Sequence, residues 1–297
     1  MPAKPAASKC VCVQEVGALR PVEFEFLLKL VKSRSGLVLA AGNPHQLESR
    51  LHPLLHRTGI GSFGALVARL RQPSAEPLIA QVVEALAARE TWFFRDQAPF
   101  DDFAGRIVPA LLASRSEEHR IRIWCAAAST GQEPYSVAMC LAEMAPQLSG
   151  CQIDIVATDL SCAALAKAAA GIYSGFEVQR GLPIRHLVKY FTQQDDGWRI
   201  SPDIRAMVQF RPFNLLHDFT ALGRFDVVFC RNVLDGFDQA ARREILHRIA
   251  RLMPRDGTLI LGAGETAAGC AAGSRPLYEQ SVRGCGPRPR LAVVGGR

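Results

Sequence analysis

Glu133 and Asp159 stand where carboxylates could grip a small molecule. Trp124-Cys-Ala-Ala-Ala-Ser-Thr-Gly-Gln-Glu-Pro-Tyr-Ser136 carries a strand-like run into a loop of small residues and leaves it through Pro134 into an apolar helical pattern. Small residues let main chain come close to a ligand, and a fresh helix N-terminus offers N–H groups without intrahelical partners. Further along, Ile153-Asp-Ile-Val-Ala-Thr-Asp159 reads as a second strand ending on an acid, the placement suited to accepting from a ribose diol. Together these features point to a nucleoside-bearing cofactor. The loop lacks the full G-x-G-x-x-G pattern, so a dinucleotide gripped by its phosphates is less favoured than a cofactor without phosphates, such as S-adenosylmethionine.

The elements that must position these groups follow from periodicity. From Ile121 onward strand and helix alternate: Ile121–Ala126 then Tyr135–Met144, and Ile153–Thr158 then Cys162–Ala170. Strands at Met207–Phe213 and Phe225–Cys230, a helix at Gln239–Leu252 and a strand at Thr258–Leu261 complete the series. Such alternation predicts an α/β fold, a parallel sheet covered by helices, with its site at the carboxyl ends of the strands. Ser129 to Glu133, Asp159, Asn214 and Asn232 all fall there. Between Gly171 and Arg205 the rhythm breaks into a short helix at Ile184–Phe191 and a hairpin around Asp196-Gly197, an insertion on the sheet. It reads equally as an edge for an extended peptide partner and as a flap over the site.

Ahead of the α/β part, helical spacing recurs at Val22–Lys32, Gln46–Arg57, Ser62–Arg71 and Pro77–Ala88, punctuated by turns rich in Gly and Pro. This is a small all-helical unit. Its Arg34, Arg50, Arg57, Arg69 and Arg71 form either a solvated charged face or a docking surface.

The composition is that of an ordinary globular protein: 48% hydrophobic and 21% charged residues over 297 positions, with a formal charge of +7. The Arg residues are scattered, and no basic run is interleaved with aromatics, so a nucleic-acid partner is not expected. Nine Cys without a C-x-x-C pair read as reduced structural thiols, Cys125 and Cys230 inside buried strands. Cys10 and Cys12 are too few for a metal centre, and no metal is expected. No apolar run reaches the length of a membrane span and the N-terminus has no signal-peptide core, so the expectation is a cytoplasmic monomer without membrane insertion.

Arg89-Glu-Thr-Trp-Phe-Phe-Arg-Asp96, Trp124 to Ser136, Ala157-Thr-Asp-Leu-Ser161, Phe213-Asn-Leu-Leu216 and Phe225-Asp-Val-Val-Phe-Cys-Arg-Asn-Val-Leu234 together resemble the bacterial chemotaxis receptor methyltransferases, the CheR family. The similarity covers roughly Val22 to Tyr278, and separated motifs in unchanged order are far more specific than a lone Gly loop. The resemblance implies a Rossmann-like S-adenosylmethionine-dependent methyltransferase domain at 91–280 with an inserted small β subdomain at 171–205. An N-terminal all-helical domain at 20–90 and a C-terminal extension at 281–297 flank it. The implied reaction is methyl transfer to glutamate side chains on the cytoplasmic domain of chemoreceptors. Thr91, Arg95, Glu133, Asp159, Asn214, Leu215, Asn232 and Val233 would then line the cofactor site, with Arg95 as the catalytic residue.

Elementary chemistry agrees. Asp159 can accept from ribose hydroxyls, Asn214 and Leu215 can offer a side-chain amide and backbone to adenine, and Glu133 can complement an ammonium or sulfonium. Plainer roles stand beside each: Asp159 as a cap of the following helix, Glu133 as favourable first-turn charge, Asn232 as a turn residue, Arg95 as an ion-pair partner of Asp96 or Asp101. A glutamate of ordinary pKa, about 4.3, is already an anion at neutral pH, so alignment rather than a strong base is what the reaction needs, and a planar guanidinium suits that task.

The chain departs from the family pattern at Arg89, where Asn is usual, and at Gly236, where a Tyr is usual. Loss of that aromatic leaves open an alternative, a catalytically weakened homologue that binds cofactor and receptor as a regulatory or scaffold module. Tyr135 and Tyr173 are candidates to supply the missing hydroxyl.

Overall fold

The computed structural model describes residues 17–39, 42–114, 120–265 and 290–292. Contacts divide the chain into a unit that holds Leu39–Leu86 with the residues up to Ser33, and a larger unit of Arg34–Val38 with the residues from Ala87 onward.

The first unit holds α1 (Pro21–Ser35) as far as Ser33, α2 (Pro44–Thr58), α3 (Phe63–Leu70) and α4 (Glu76–Ala87) as far as Leu86. Local chemistry marks the ends. Asn43 and Ser62 accept from the N–H groups of Gln46 and Ala65 at the starts of α2 and α3, and Gly59 closes α2 in the left-handed conformation. Leu27, Val31, Leu51, Leu54, Phe63, Leu66 and Val82 form its core. Of the arginines, Arg50 donates to Leu86 O at 2.6 Å, and the Arg71 guanidinium lies 5.0 Å from the Phe26 ring centre. Part of the basic composition is therefore spent on internal packing.

In the larger unit, α5 (Ala98–Asp102), a π-helical turn (Phe103–Ile107) and α6 (Val108–Ser114) form one interrupted helical segment. Periodicity did not announce it, because Pro99, Gly105 and Pro109 break the pattern. Then come β1 (Arg120–Ala126), α7 (Gln132–Glu143), β2 (Gln152–Asp159) and α8 (Cys162–Ala170). The insertion contributes β3 (Ile172–Tyr173), α9 (Gly175–Gln179), α10 (Ile184–Tyr190), β4 (Phe191–Gln194), β5 (Gly197–Ile200) and α11 (Pro202–Ala206). The chain returns to the sheet with β6 (Val208–Pro212), β7 (Val227–Cys230), α12 (Gln239–Leu252), β8 (Thr258–Leu261) and β9 (Arg290–Ala292). Within the expected C-terminal extension, Arg290–Ala292 thus joins the sheet beside β8; a strand this short shows no readable alternation. The other residues of that extension lie outside the described ones.

The main sheet runs β6-β2-β1-β7-β8-β9, each pair parallel. Strand order reverses between β1 and β7, so the loops that follow them diverge and leave a crevice at the carboxyl edge. Register aligns that edge: Ala126 faces Thr158 and Cys230, Asp159 faces Pro212, and Cys230 faces Leu261. The insertion forms a separate antiparallel sheet, β3-β5-β4. Phe93, Phe103, Ile123, Cys125, Tyr135, Tyr173 and Phe229 belong to the core beneath.

Candidate active site

The loop after β1 is bent by unusual backbone. Ala127 and Ser129 have φ of 58° and 51°, and Gly131, which opens α7, has φ 93°. A side chain at 131 would also press on the Ala168 Cβ at 2.8 Å, so this glycine is required for conformation and for space. Ser129 N donates to Asp159 Oδ2 and Ser161 N to Asp159 Oδ1, both at 2.8 Å. The cap of α8 is Ser161, whose Oγ accepts from Ala164 N. Asp159 therefore ties the loops after β1 and β2 together at the carboxyl edge.

Outside glycine, the described residues with positive φ are Phe94, Asp96, Gln97, Ala127, Ser129 and Asn232. Such conformations are uncommon and cost on the order of 1–3 kcal/mol each, and they gather where a site over-determines the backbone. All six lie at this edge or in the segment across it. That segment, Arg89–Gln97, is pinned by Phe94 N to Ser136 Oγ at 3.0 Å and by the burial of Phe93 and Phe94.

Arg231, directly after β7, is the electrostatic centre. Its side chain is only 1% exposed. Nη1 donates to Glu133 Oε2 at 3.1 Å, and Nη2 donates to Asp96 Oδ2 at 2.8 Å and to Arg95 O at 2.7 Å. Burial pushes the Glu133 carboxyl above its ordinary pKa, and the Arg231 charge works against that rise. Burial likewise raises the Cys125 and Cys230 thiols well above the usual range, as expected of inert structural cysteines.

Arg95 takes a different position from the ion pair considered for it. Asp96 is bound by Arg231, and Asp101 accepts from Gln97. The Arg95 guanidinium lies 4.3 Å from the Trp92 ring centre, and its Nη1 donates to Glu90 O at 3.1 Å. Burial lowers its pKa, opposed by the charges of Asp96, Glu133 and Glu265. Arg180, from the insertion, also covers Trp92 at 4.1 Å and pairs with Glu90. Thr91 is half-buried in the same segment.

On the far side of β2, Asn214 donates from Nδ2 to Arg34 O at 2.8 Å and accepts at Oδ1 from Leu216 N at 2.9 Å, while Leu215 is buried beside it. After β7, Asn232 has φ 56° and Val233 is buried. The turn they begin is organised by Glu265, which is fully buried and accepts from Asn232 N, Leu234 N and Gly262 N at 2.7–2.9 Å.

Arg231 and Glu265 were absent from the residues singled out by sequence. Glu265 had a signal: Gly262-Ala-Gly-Glu265 repeats, after β8, the small-residue loop ending in a carboxylate that marks β1. Arg231 had little, since an Arg closing an apolar strand reads as one reaching for solvent. The tyrosines proposed as replacements do not serve. Tyr135 and Tyr173 are fully buried, and their hydroxyls donate to Ala168 O and Thr130 O at 2.8 Å.

The edge thus presents two acceptor-only carboxylates, Asp159 and Glu133, suited to hydroxyl and cationic donors of a ligand. Among the described residues, the buried Nε atoms of Arg95 and Arg231 find no acceptor.

Comparison with known proteins meets this geometry. Residues 89–275 match the family model described as CheR methyltransferase, SAM binding domain, and residues 22–87 match CheR methyltransferase, all-alpha domain. A chemotaxis protein methyltransferase 1 of Pseudomonas aeruginosa is 39% identical over 269 residues, 89% of this chain and 95% of the relative. Chemotaxis protein methyltransferase Cher2 of Pseudomonas putida is 37% identical over 270 residues, covering 90% and 96% respectively. Among solved structures, magnesium protoporphyrin IX methyltransferase from Synechocystis PCC 6803 with bound SAH aligns over 74% of each chain, at 16% identity and a TM-score of 0.32.

Proposed function

The chain belongs to the CheR methyltransferase family, using S-adenosylmethionine for methylation in chemotaxis, and from that premise we propose that it is a protein-glutamate O-methyltransferase acting on cytoplasmic domains of chemoreceptors. The observation that carries this reading is Arg95: a guanidinium held on Trp92, without a carboxylate partner among the described residues, on the segment that Arg231 joins to Glu133. When bound, the cofactor supplies an electrophilic methyl group on a sulfonium.

The chain's own residues supply position and charge. Asp159, held by Ser129 N and Ser161 N at the carboxyl edge, accepts from the ribose hydroxyls. Asn214 and Leu215 border the adenine, Asn232, Val233 and Thr91 enclose the rest, and Glu133 balances the cofactor's cationic end. Arg95, with the face of its guanidinium on Trp92, grips the incoming glutamate by in-plane N–H groups at its edge and keeps it ionised, so no base is required. Holding the carboxylate oxygen in a near-attack orientation is the enzyme's main contribution. The buried wall of Phe93, Phe94, Tyr135 and Tyr173 keeps water from that side.

No helix among the described residues is long and apolar enough to cross a membrane. The reading is of a cytoplasmic monomer that meets its receptor as a protein substrate.

Labelled S-adenosylmethionine incubated with receptor-containing membranes tests the proposal. Base-labile label on receptor glutamates is the expected result. Cofactor binding without any transfer would instead identify the regulatory module.

A further inference from the structure

In the segment across the carboxyl edge, the insertion packs against Trp92, Phe93 and Phe94 one by one. Phe94 meets the His186 ring at 5.0 Å, and Phe93 meets Tyr173 at 5.0 Å and Phe191 at 5.5 Å, ring centre to ring centre. Trp92 meets the corner Arg180-Gly181. Gly181 has φ 82°, and a Cβ there would lie 2.1 Å from Phe93 O and 2.8 Å from Trp92 Cδ1. Conformation and space both require glycine at 181, and the two stretches of main chain touch. Arg95, the next residue along, faces the site: the charges of Arg231, Glu133 and Glu265 all act on its guanidinium.

The Cζ of Arg180 lies 4.1 Å from the centre of the Trp92 ring, and that of Arg95 lies 4.3 Å from it. One indole thus seats two guanidinium groups, one from the insertion and one from the site. Arg180 also donates from Nη2 to Glu90 Oε2 at 3.0 Å, and Arg95 donates from Nη1 to Glu90 O at 3.1 Å. The ion pair is a weak tether, because the Glu90 side chain is 79% exposed and water screens it. The contact of Gly181 with the main chain and the cation over the ring are what set the indole's position. A Trp side chain turns about only two bonds, so an indole fixed at this corner gives Arg95 a fixed surface to lie on.

We infer that Arg180, seated by Gly181, is a positioning residue for methyl transfer: from the insertion it fixes the Trp92 ring, and the ring fixes the plane and reach of Arg95. The role rests on the glutamate-methylating reading above, in which Arg95 grips the substrate carboxylate. It gives the insertion a part in aligning the reacting group, where a displacement of about 1 Å costs up to about a hundredfold in rate.

The test uses the full-length protein, with arginine labelled for nitrogen NMR, and the cytoplasmic fragment of a chemoreceptor. The buried Nε–H of Arg95 gives a resonance identified by its loss in Arg95→Lys. Arg180→Gln should shift or broaden that resonance and lower kcat about tenfold, with KM and the affinity for S-adenosylhomocysteine within about twofold of wild type. Arg180→Lys keeps a cation over the ring without the planar fork and should recover part of kcat. Gly181→Ala, which pushes the corner off Phe93 O, should reproduce both effects. An Arg180→Gln protein with the kcat of wild type, or one whose kcat falls while the Arg95 resonance stays in place, overturns the inference. A loss of S-adenosylhomocysteine affinity as large as the loss in kcat also overturns it, since the damage then reaches the whole edge. If wild type methylates no receptor glutamate, the functional reading falls by itself. The Arg95 resonance in Arg180→Gln then still decides the positioning: a shift upholds it, and an unmoved signal overturns it.

Discussion

Replacing Arg231 with Met is the most direct probe of the site's electrostatics. The side chain is 1% exposed and holds two carboxylates and the Arg95 carbonyl. Its partners do not weigh equally. Asp96 is 36% exposed and water recovers most of what it loses, whereas Glu133 is 13% exposed and is left as an unpaired buried charge. Removing one partner of such a pair costs about 3–5 kcal/mol, which lowers the unfolding temperature by on the order of 10 °C. The pH dependence has a definite sign. Glu133 already titrates above its unfolded value because of burial, and without Arg231 it rises further. A carboxyl whose folded pKa is raised contributes its full stability below the unfolded pKa and loses it as pH rises through the folded one. The deficit of Arg231→Met should therefore be largest at neutral and alkaline pH and shrink on acidification. Adding Glu133→Gln should return about 1–3 kcal/mol. Thermal and urea unfolding between pH 5 and 8 measure all three effects. A variant within about 1 kcal/mol of wild type at neutral pH, or one whose deficit grows on acidification, would refute the reasoning.

Other expectations follow from the same geometry. Calorimetry of cofactor binding over a pH series should show affinity falling as acidification protonates Glu133, beginning at higher pH than an ordinary glutamate allows; a flat profile would remove Glu133 from the cation's surroundings. Gly131→Ala, forced into φ 93° against Ala168, should cost about 1–3 kcal/mol in urea unfolding and abolish detectable cofactor binding. Glu265→Gln points an amide N–H at backbone donors, so it should cost about 2–3 kcal/mol and weaken the cofactor through the loosened Asn232 turn; an unchanged dissociation constant would separate that turn from the site.

Much of the architecture was legible because its causes are local. Helix α12 and strand β8 appear with the bounds their periodicity predicts, and α8 is framed by Ser161 and Gly171, a capping residue and a stop. The alternation of strands and helices placed Glu133, Asp159, Asn214 and Asn232 at one edge, since parallel strands all end there. The interrupted segment 98–114 escaped because its proline and glycine residues mask a helical period that packing nevertheless enforces.

What sequence by itself determined, then, was the order of elements and the kind of residue at each strand's end. Tertiary structure alone decided which of those residues pair. Arg231 and Glu133, Glu265 and the Asn232 turn, Arg180 and Trp92 come from distant parts of the chain, and their meaning depends on burial and on which charges are already neutralised. The physical reason is that periodicity and capping are set by neighbouring residues. The worth of a charge is set by the dielectric and the counter-ions that folding brings around it.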